Sequence, residues 1–550
     1  MTWTNFSSPS AARLFFSERR QNSAGHKLAA ATMIAFVAMV GACAATAQET
    51  SKVSVNLGKP VNIVTNTSLG APANLYDGYT YDKITTAYLK ASGLTTLRFP
   101  NSSADVYHWS TNTETPYKAI ESGYIAPSAT FANAAQLVDQ IGTVLVTVDY
   151  GSNLEGTGGG EPAEAAAWVA YANGDPSSSK VIGKDSTGHD WDTVAKWAKI
   201  RGQAPLATDD GYNFLRISHP APLNVKLWQI GSHVYNNGYY GGDHVGEPDL
   251  HGPAPTGLKD FGKLKKNPKL SPGFYGDQIL EFAKAMKDVD PTIEIGAAFV
   301  TPPDGLAWAS DWNATVLKKA CAAIDFETIE WVSGGVMPPD YKTLDEGALL
   351  SNSRTTLAGI FTGILYDDKN NCPKGHTPRI AFAPAGVITW PKVDRPVSEA
   401  LYTADVMALL VESGSVNITT PELYSDNMIA SDRKKVGPVF SGMQMVHIAM
   451  LHPGDQMIDA SSSDTKLAVH AVKRRDGVLA LMLINEDPST PVTAKINVSG
   501  GTVGSKGRRF EYGLSQQKAG TGLVPMEIKE VGADFSVTVP PYTITDILIE

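Results

Sequence analysis

Two glutamates stand at the ends of short apolar runs. Glu330 lies in Ile329-Glu330-Trp331-Val332 and Glu422 in Thr420-Pro421-Glu422-Leu423-Tyr424. With His233 between them, these carboxyls could act as a general acid/base pair. A plainer alternative makes Glu330 a structural partner of Arg98. His233, Asp243, His244 and His251 also fall close in sequence. Their spacing matches no tight zinc pattern and residues 236–242 read as a Gly/Tyr loop, so no metal is expected. The chain has no P-loop, no dinucleotide fingerprint after a strand and no Gly-x-Ser-x-Gly elbow. No cofactor is expected.

The elements that must position these groups alternate. Strand candidates at 61–65, 95–100, 144–150, 225–231, 293–299, 327–332, 379–383 and 415–420 are short and rich in β-branched or aromatic residues. Several are apolar on both faces, as strands of a covered parallel sheet are. Amphipathic helical stretches at 82–92, 161–173, 275–288, 314–324, 398–413 and 438–451 lie between them. Eight strands alternating with helices predict a (β/α)8 TIM barrel over 60–454, which places Glu330 and Glu422 at the C-terminal mouth. From about residue 455 the pattern becomes strand-like runs at 467–472, 478–484, 492–498, 509–514 and 535–539, separated by turn residues. These predict an antiparallel β-sandwich over 455–550. The segment 48–59 is positioned to add a strand to it.

The first 47 residues read as an export signal. Arg13, Arg19, Arg20 and Lys27 precede an uncharged stretch, and Ala45-Thr46-Ala47 forms a small-x-small exit. The stretch is at the lower limit for spanning a membrane. Its Ala/Gly content and cleavage pattern favour removal, and no membrane span is expected afterwards. Val40-Gly41-Ala42-Cys43 offers a second outcome, a lipid anchor on Cys43. A secreted or periplasmic location follows. Cleavage leaves Cys321 and Cys372, which an oxidising compartment would allow to bridge; two unrelated buried thiols are the alternative. The formal charge of −10, with 46 basic against 56 acidic residues and no basic run, argues against a nucleic-acid partner. With 43% hydrophobic and 19% charged residues, the composition also excludes collagen-like, disordered and coiled-coil classes.

Several longer matches are specific. Leu97-Arg98-Phe99-Pro100 with Ala104-Asp105-Val106-Tyr107-His108-Trp109, then Thr147-Val148-Asp149-Tyr150-Gly151 running to the Glu161-Pro162-Ala163-Glu164 helix start, form the first group. Val225-Lys226-Leu227-Trp228-Gln229-Ile230-Gly231 with Val234-Tyr235, the stretch Lys284-Ala285-Met286-Lys287 leading to Asp290-Pro291, Leu483-Ile484-Asn485-Glu486-Asp487 and Pro540-Pro541-Tyr542-Thr543 continue it. Across nearly the whole mature chain this resembles the secreted bacterial α-L-arabinofuranosidase-like glycoside hydrolases, retaining enzymes with a barrel and a C-terminal sandwich.

The resemblance implies two catalytic glutamates about 5–5.5 Å apart, one acid/base and one nucleophile. At the end of the fourth strand the family reads Trp-Glu-Ile-Gly-Asn-Glu; this chain reads Trp228-Gln229-Ile230-Gly231-Ser232-His233, so His233 holds the acid/base position. On the seventh strand, Ile380-Ala381-Phe382 continues into Ala383-Pro384, so Pro384 holds the nucleophile position. The family's His-Trp-Tyr is Glu330-Trp331-Val332 and its Gly-Gly pair is Asn101-Ser102-Ser103. The family's own mechanism is therefore expected to be lost. Two roles remain: binding polysaccharide or serving as an envelope scaffold, with self-association or an envelope partner, and inverting hydrolysis by a relocated pair, Glu330 and Glu422, which tolerates a separation of about 6.5–9.5 Å. Arg98, His108, Asp149 and His233 match pocket positions. Trp109, Trp228, Trp331, Trp390 and Tyr235, together with Tyr239 and Tyr240, could offer flat faces to sugar rings, with core packing as the alternative for each Trp.

Overall fold

In the computed structural model eight short strands close a parallel barrel in sequence order: Leu69–Pro72, Thr96–Phe99, Thr143–Val148, Leu227–Ile230, Glu294–Ala298, Phe326–Ser333, Arg379–Val387 and Asn417–Thr419. The structure describes residues 49–101, 103–115, 124–237, 239–241, 244–245, 247–253, 266–301, 311–333, 353–387, 397–420, 428–429, 433–450, 452–519 and 523–550. Residues 1–48, with Cys43, and also Trp390 and Glu422, lie outside the described residues.

Side chains alternate between the barrel axis and the surrounding helices. Near the start of the strands, Leu145, Leu227, Phe326, Ala381 and Val416 form a separate apolar plug. Gly296 makes room for it, since a Cβ there would stand 2.2 Å from the Phe326 ring. The helices begin where capping chemistry directs. Asp82 accepts from the Thr85 amide ahead of Lys83–Ala91, and Ser271 accepts from the Phe274 amide ahead of Pro272–Val289. Helices Phe131–Ile141, Pro162–Asn173, Val194–Gly202, Trp312–Ala320, Ser353–Asn371, Val397–Glu412 and Pro438–Met450 complete the set that covers the barrel.

The β-rich domain is one nine-stranded sheet in the order Met526–Ile528, Gly507–Gly513, Thr543–Ile549, Leu479–Asn485, Leu467–Lys473, Gln456–Ser462, Glu49–Ile63, Val492–Ser499 and Asp534–Val539. Neighbours are antiparallel except Glu49–Ile63 with Val492–Ser499. Val53, Val55, Leu481, Leu483, Ile496, Val539 and Ile547 share its own core. The N-terminal strand therefore belongs to this sheet.

One expected barrel strand is displaced. Residues 61–63 extend the N-terminal strand and pair with Met457 and Gln456, while the first barrel strand is Leu69–Pro72. Val61 and Ile63 carry the stronger β signal, but Val61 is 50% exposed. Leu69-Gly70-Ala71-Pro72 reads as a poor strand because it contains Gly and Pro. Gly70 eases close approach there: a Cβ would come within 3.2 Å of the Thr96 carbonyl oxygen.

Two covalent or ionic ties hold the layers. Cys321 and Cys372 form a disulfide between the end of Trp312–Ala320 and the end of Ser353–Asn371. Helix Val397–Glu412, buried on nearly every side, lies between barrel and sheet. There His470, fully buried, directs Nδ1 to Glu412 Oε1 at 2.7 Å and Nε2 to Asp405 Oδ1 at 3.0 Å. Arg354 Nη1 donates to Glu412 Oε2 at 3.3 Å. Facing a carboxylate at each nitrogen, the ring carries a proton on both. Burial alone would lower the His470 pKa; Glu412 and Asp405 outweigh it and raise it above 6.5. Burial would raise Glu412; His470 and Arg354 outweigh it and hold Glu412 below 4.5. No helix among the described residues is long and apolar enough to cross a membrane.

Two outcomes follow. Opening the disulfide by C321S/C372S should cost up to about 4 kcal/mol, because a 51-residue separation leaves a long loop free in the unfolded chain; denaturant titration reads this, and an unchanged midpoint refutes it. For the His470 network the stability contribution is lost as pH rises from 6.5 through the folded value of His470, and as pH falls from 4.5 through that of Glu412. Calorimetry across pH should find the alkaline limb weakened in His470→Gln; a profile identical to wild type would rule the network out as its source.

Candidate functional site

The mouth is organised around a buried cation. Arg98, from the second barrel strand, is 1% exposed. Its Nη1 donates to Asn101 Oδ1 at 3.0 Å and to the Ala383 carbonyl at 3.3 Å. Its Nη2 donates to Gln229 Oε1 at 3.3 Å and Ser232 Oγ at 3.1 Å. One guanidinium thus joins the second, fourth and seventh strands. Asn101 continues the chain, donating to Asn74 Oδ1 at 3.1 Å.

The turn that presents His233 is held from below. Gly231 has φ +67°, and a Cβ there would stand 2.4 Å from Val234, so only glycine fits. Asp105, 2% exposed, accepts from the Ser232 amide at 3.0 Å and the His233 amide at 3.1 Å. Glu247 in turn accepts from the Ser103 amide at 2.8 Å and the Asp105 amide at 3.0 Å. Burial first, and then the Glu247 charge, raise the Asp105 carboxyl to about 7, against the amide bonds and His233. Both carboxyls are committed to backbone groups.

His233 faces Glu330. The His233 Nε2–Glu330 Oε1 distance is 2.9 Å, with the side chains 14% and 33% exposed. Burial would neutralise each. Instead the His233 pKa is raised by Glu330, Glu247 and Asp105, and Glu330 is lowered by His233 and Arg98. Each group thus favours the charged form of the other. Glu330 feels the charge of Arg98 and is hydrogen-bonded to His233.

The other predicted residues divide. His108 and Asp149 are buried. His108 is 1% exposed, with Nδ1 at 3.1 and 3.2 Å from the Glu164 carboxylate and Nε2 at 2.6 Å from Thr115 Oγ1. Burial would lower its pKa, but Glu164 and Asp149 raise it to about 9. Asp149 accepts from the Ser152 amide and hydroxyl, both at 3.0 Å. Burial, with Glu164 and Asp105 as like charges, pushes its carboxyl well up despite His108. This is a buried polar cluster behind the site.

The tryptophans pack in the core. Trp109 is stacked on Trp168 at 5.7 Å and lies 5.0 Å from Trp197. Trp228 is fully buried with Nε1 donating to the Val225 carbonyl. With Gln229 turned to the axis, Trp228 must point to the helices. Trp331 lies against Phe382, which meets Phe361 of Ser353–Asn371. These three rings are covered, which corrects their assignment to sugar contact. Tyr235, 8% exposed, places its ring 6.3 Å from His233 and 6.4 Å from Trp312. Pro384 continues the seventh strand just past Ala383. The side chains of Tyr239, Tyr240 and His244, and all of Asp243, lie outside the described residues. His251 pairs with Asp249 at 2.8 Å, and among the described residues no three His, Cys, Asp or Glu side chains could hold a metal ion.

Asn74, Gln229 and Glu247 escaped sequence reasoning. Asp105 sits inside a matched segment, but nothing in its neighbours announces that it caps a turn 127 residues away.

Around the end of the fourth strand the described carboxyls are engaged: Asp105 and Glu247 accept backbone amides, and Glu330 faces His233. What the site does present is fixed, charged hydrogen-bonding groups.

No protein-family model and no curated protein matches the sequence. Solved structures do. An α-L-arabinofuranosidase from Thermotoga maritima, in an arabinose complex, has TM-score 0.63 and 16% identity, covering 91% of this chain and 100% of its own. A family 51 α-L-arabinofuranosidase from Bifidobacterium longum has TM-score 0.61 and 16% identity, with 91% and 99% covered. A Paenibacillus polymyxa xyloglucanase of glycoside hydrolase family 44, with xyloglucan, has TM-score 0.60 and 14% identity, with the same coverage of 91% and 99%. The fold is that of these glycoside hydrolases: a closed parallel barrel with a β-rich domain.

The ion pair has a direct readout. Glu330→Gln removes the nearest anion, so the imidazole of His233 should titrate at lower pH than in wild type, as followed by NMR of the ring nitrogens. An unmoved titration would exclude the pair.

Proposed function

We propose that this chain is an exported glycoside-hydrolase-like protein that binds carbohydrate at the barrel mouth and has lost retaining hydrolysis. The observation that carries the reading is the His233–Glu330 ion pair at 2.9 Å. It stands at the end of the fourth strand, where the resembled enzymes keep their acid/base glutamate. An ionised Glu330 has no proton to deliver to a leaving sugar oxygen, and its charge is engaged by the imidazolium. Pro384, in the nucleophile position, has no side-chain lone pair to attack an anomeric carbon. Double displacement needs two carboxyls about 5–5.5 Å apart. Loss of both reacting groups leaves only the small contribution of binding and positioning.

Polysaccharide is the partner that fits this fold and these groups. Export is supported by the signal pattern of residues 1–47 and by the Cys321–Cys372 disulfide, a bond that persists in oxidising compartments. In this reading the protein works outside the cytoplasm, as a polysaccharide-binding component of the envelope or its surroundings.

The test is turnover of 4-nitrophenyl α-L-arabinofuranoside, arabinoxylan and xyloglucan, run beside binding of the same polymers by affinity electrophoresis. Retarded migration with no product above blank is expected. Product formation that disappears in Glu330→Gln would reverse the reading in favour of the relocated pair, Glu330 with Glu422.

A further inference from the structure

We propose that two stacked histidines, His447 and His452, form an acid-sensitive latch where the barrel joins the β-rich domain, and that the latch loosens when both rings are protonated. The inference does not depend on what the mouth binds. Two stretches of described chain pass between the domains, after Ile63 and after Met450, and they are tied to each other. The Val64 amide donates to the Asp455 carbonyl at 2.9 Å, and the Gly454 amide donates to the Val64 carbonyl at 2.8 Å. His447 lies in the last turn of helix Pro438–Met450, and His452 opens the turn that leads into sheet strand Gln456–Ser462. The pair therefore stands on one of the two crossings.

The geometry suits neutral rings. Their centroids are 5.7 Å apart, with the planes 29° from parallel. His447 is pinned on its other side by the turn that closes helix Lys83–Ala91. A Cβ on Gly93, at φ +74°, would stand 2.2 Å from the imidazole. Gln444, one turn earlier, donates to the Ala91 carbonyl at 3.2 Å and holds the two helices together. The buried Nδ1 of His447 has no hydrogen-bond partner among the described residues. A neutral imidazole protonated at Nε2 leaves only a lone pair there, whereas an imidazolium would bury an unsatisfied N–H.

The charges facing the pair act in the same direction. From the turn 474–478 between sheet strands Leu467–Lys473 and Leu479–Asn485, Arg474 disfavours a proton on both rings. Asp476, on the same turn, favours one on His452, but it accepts from Arg474 at 2.9 Å. Asp455 brings Oδ2 to 3.4 Å from His452 Nδ1 without a hydrogen bond, and its Oδ1 is committed to the Arg475 amide at 2.9 Å. Gly93 adds no charge from the side of helix Lys83–Ala91.

Burial, then the charges of His452 and Arg474, hold His447 below 6.5. Burial and Arg474 hold His452 below 6.5, against Asp455 and Asp476. At neutral pH the rings are uncharged and stack. In acid, two like charges share a half-buried space beside an arginine, and the end of the barrel helix is pushed from the sheet turn. Because both folded values lie below the free value, the latch stabilises fully above pH 6.5 and is lost as pH falls through the folded values. This limb is distinct from that of Glu412, which begins below 4.5.

Calorimetry and hydroxyl-radical footprinting of the full mature chain, from about pH 7.5 to about pH 5, test the latch. The thermal midpoint of wild type should fall by about 2 °C more than that of His447→Gln/His452→Gln. Labelling of peptides covering residues 452–458 and 472–478 should rise about threefold in wild type and stay level in the double variant. His452→Asn, at a side chain 37% exposed, removes one charge and keeps the Gly93 contact of His447, so it should show about half the fall. If the double variant does not fold, this single variant carries the test. Equal falls in wild type and the variants overturn the latch. So does a fall that the variants abolish while the two peptides are labelled alike at both pH values, since the pair would then act on global stability and not on the junction.

Discussion

A guanidinium inside a barrel is tolerable only when its donors are met, because desolvating a charge costs several kcal/mol unless polar groups replace the water. The two Nη groups of Arg98 find acceptors on the fourth and seventh strands, on Asn101 beyond the second strand and on the turn after the fourth. Much of the mouth follows from that demand. Gln229 must face the axis to supply an oxygen, so Trp228 faces the helices. Ser232 must stand at a fixed place, so the turn at Gly231 must be tight and Asp105 must receive the freed amides. His233 is then delivered toward Glu330. The ion pair at the mouth is thus the outermost consequence of a charge buried one layer below it.

The same economy of buried polarity recurs elsewhere. Behind the site Glu164 and Asp149 raise the pKa of His108, and between the domains Glu412 and Asp405 raise that of His470. Each cluster joins elements distant in sequence. The first ties the loop after the second strand to the start of helix Pro162–Asn173; the second ties a barrel helix to a strand of the β-rich domain. They explain why several residues in segments resembling a hydrolase pocket remain polar although they touch no open surface.

Much of the architecture was legible. Seven of the barrel strands lie where short β-branched or aromatic runs occur, because strands covered on both faces need such residues along their whole length. The first strand was misplaced because the pattern-based signal at residues 61–65 exceeded that of Leu69-Gly70-Ala71-Pro72, whose small residues answer to close approach by neighbouring strands. At the site, His233 and Glu330 could be singled out from residue type and position. The burial of Trp109, Trp228 and Trp331 could not: a tryptophan on a barrel strand reads the same whether it points to a helix or to a ligand.

The sequence alone supplied the proposal of a lost hydrolytic pair: by resemblance, His233 and Pro384 take the positions where a retaining hydrolase needs carboxylates, and neither side chain offers a nucleophilic oxygen. It also determined the alternation of strand and helix, since periodicity is a local property of the chain. Tertiary structure alone decided partnership: that Glu330 meets His233 and that Asp105 accepts the amides of the turn after the fourth strand. Distances of a few ångströms between residues far apart in sequence are set by how strands register and helices cover them, and no local pattern encodes that sum.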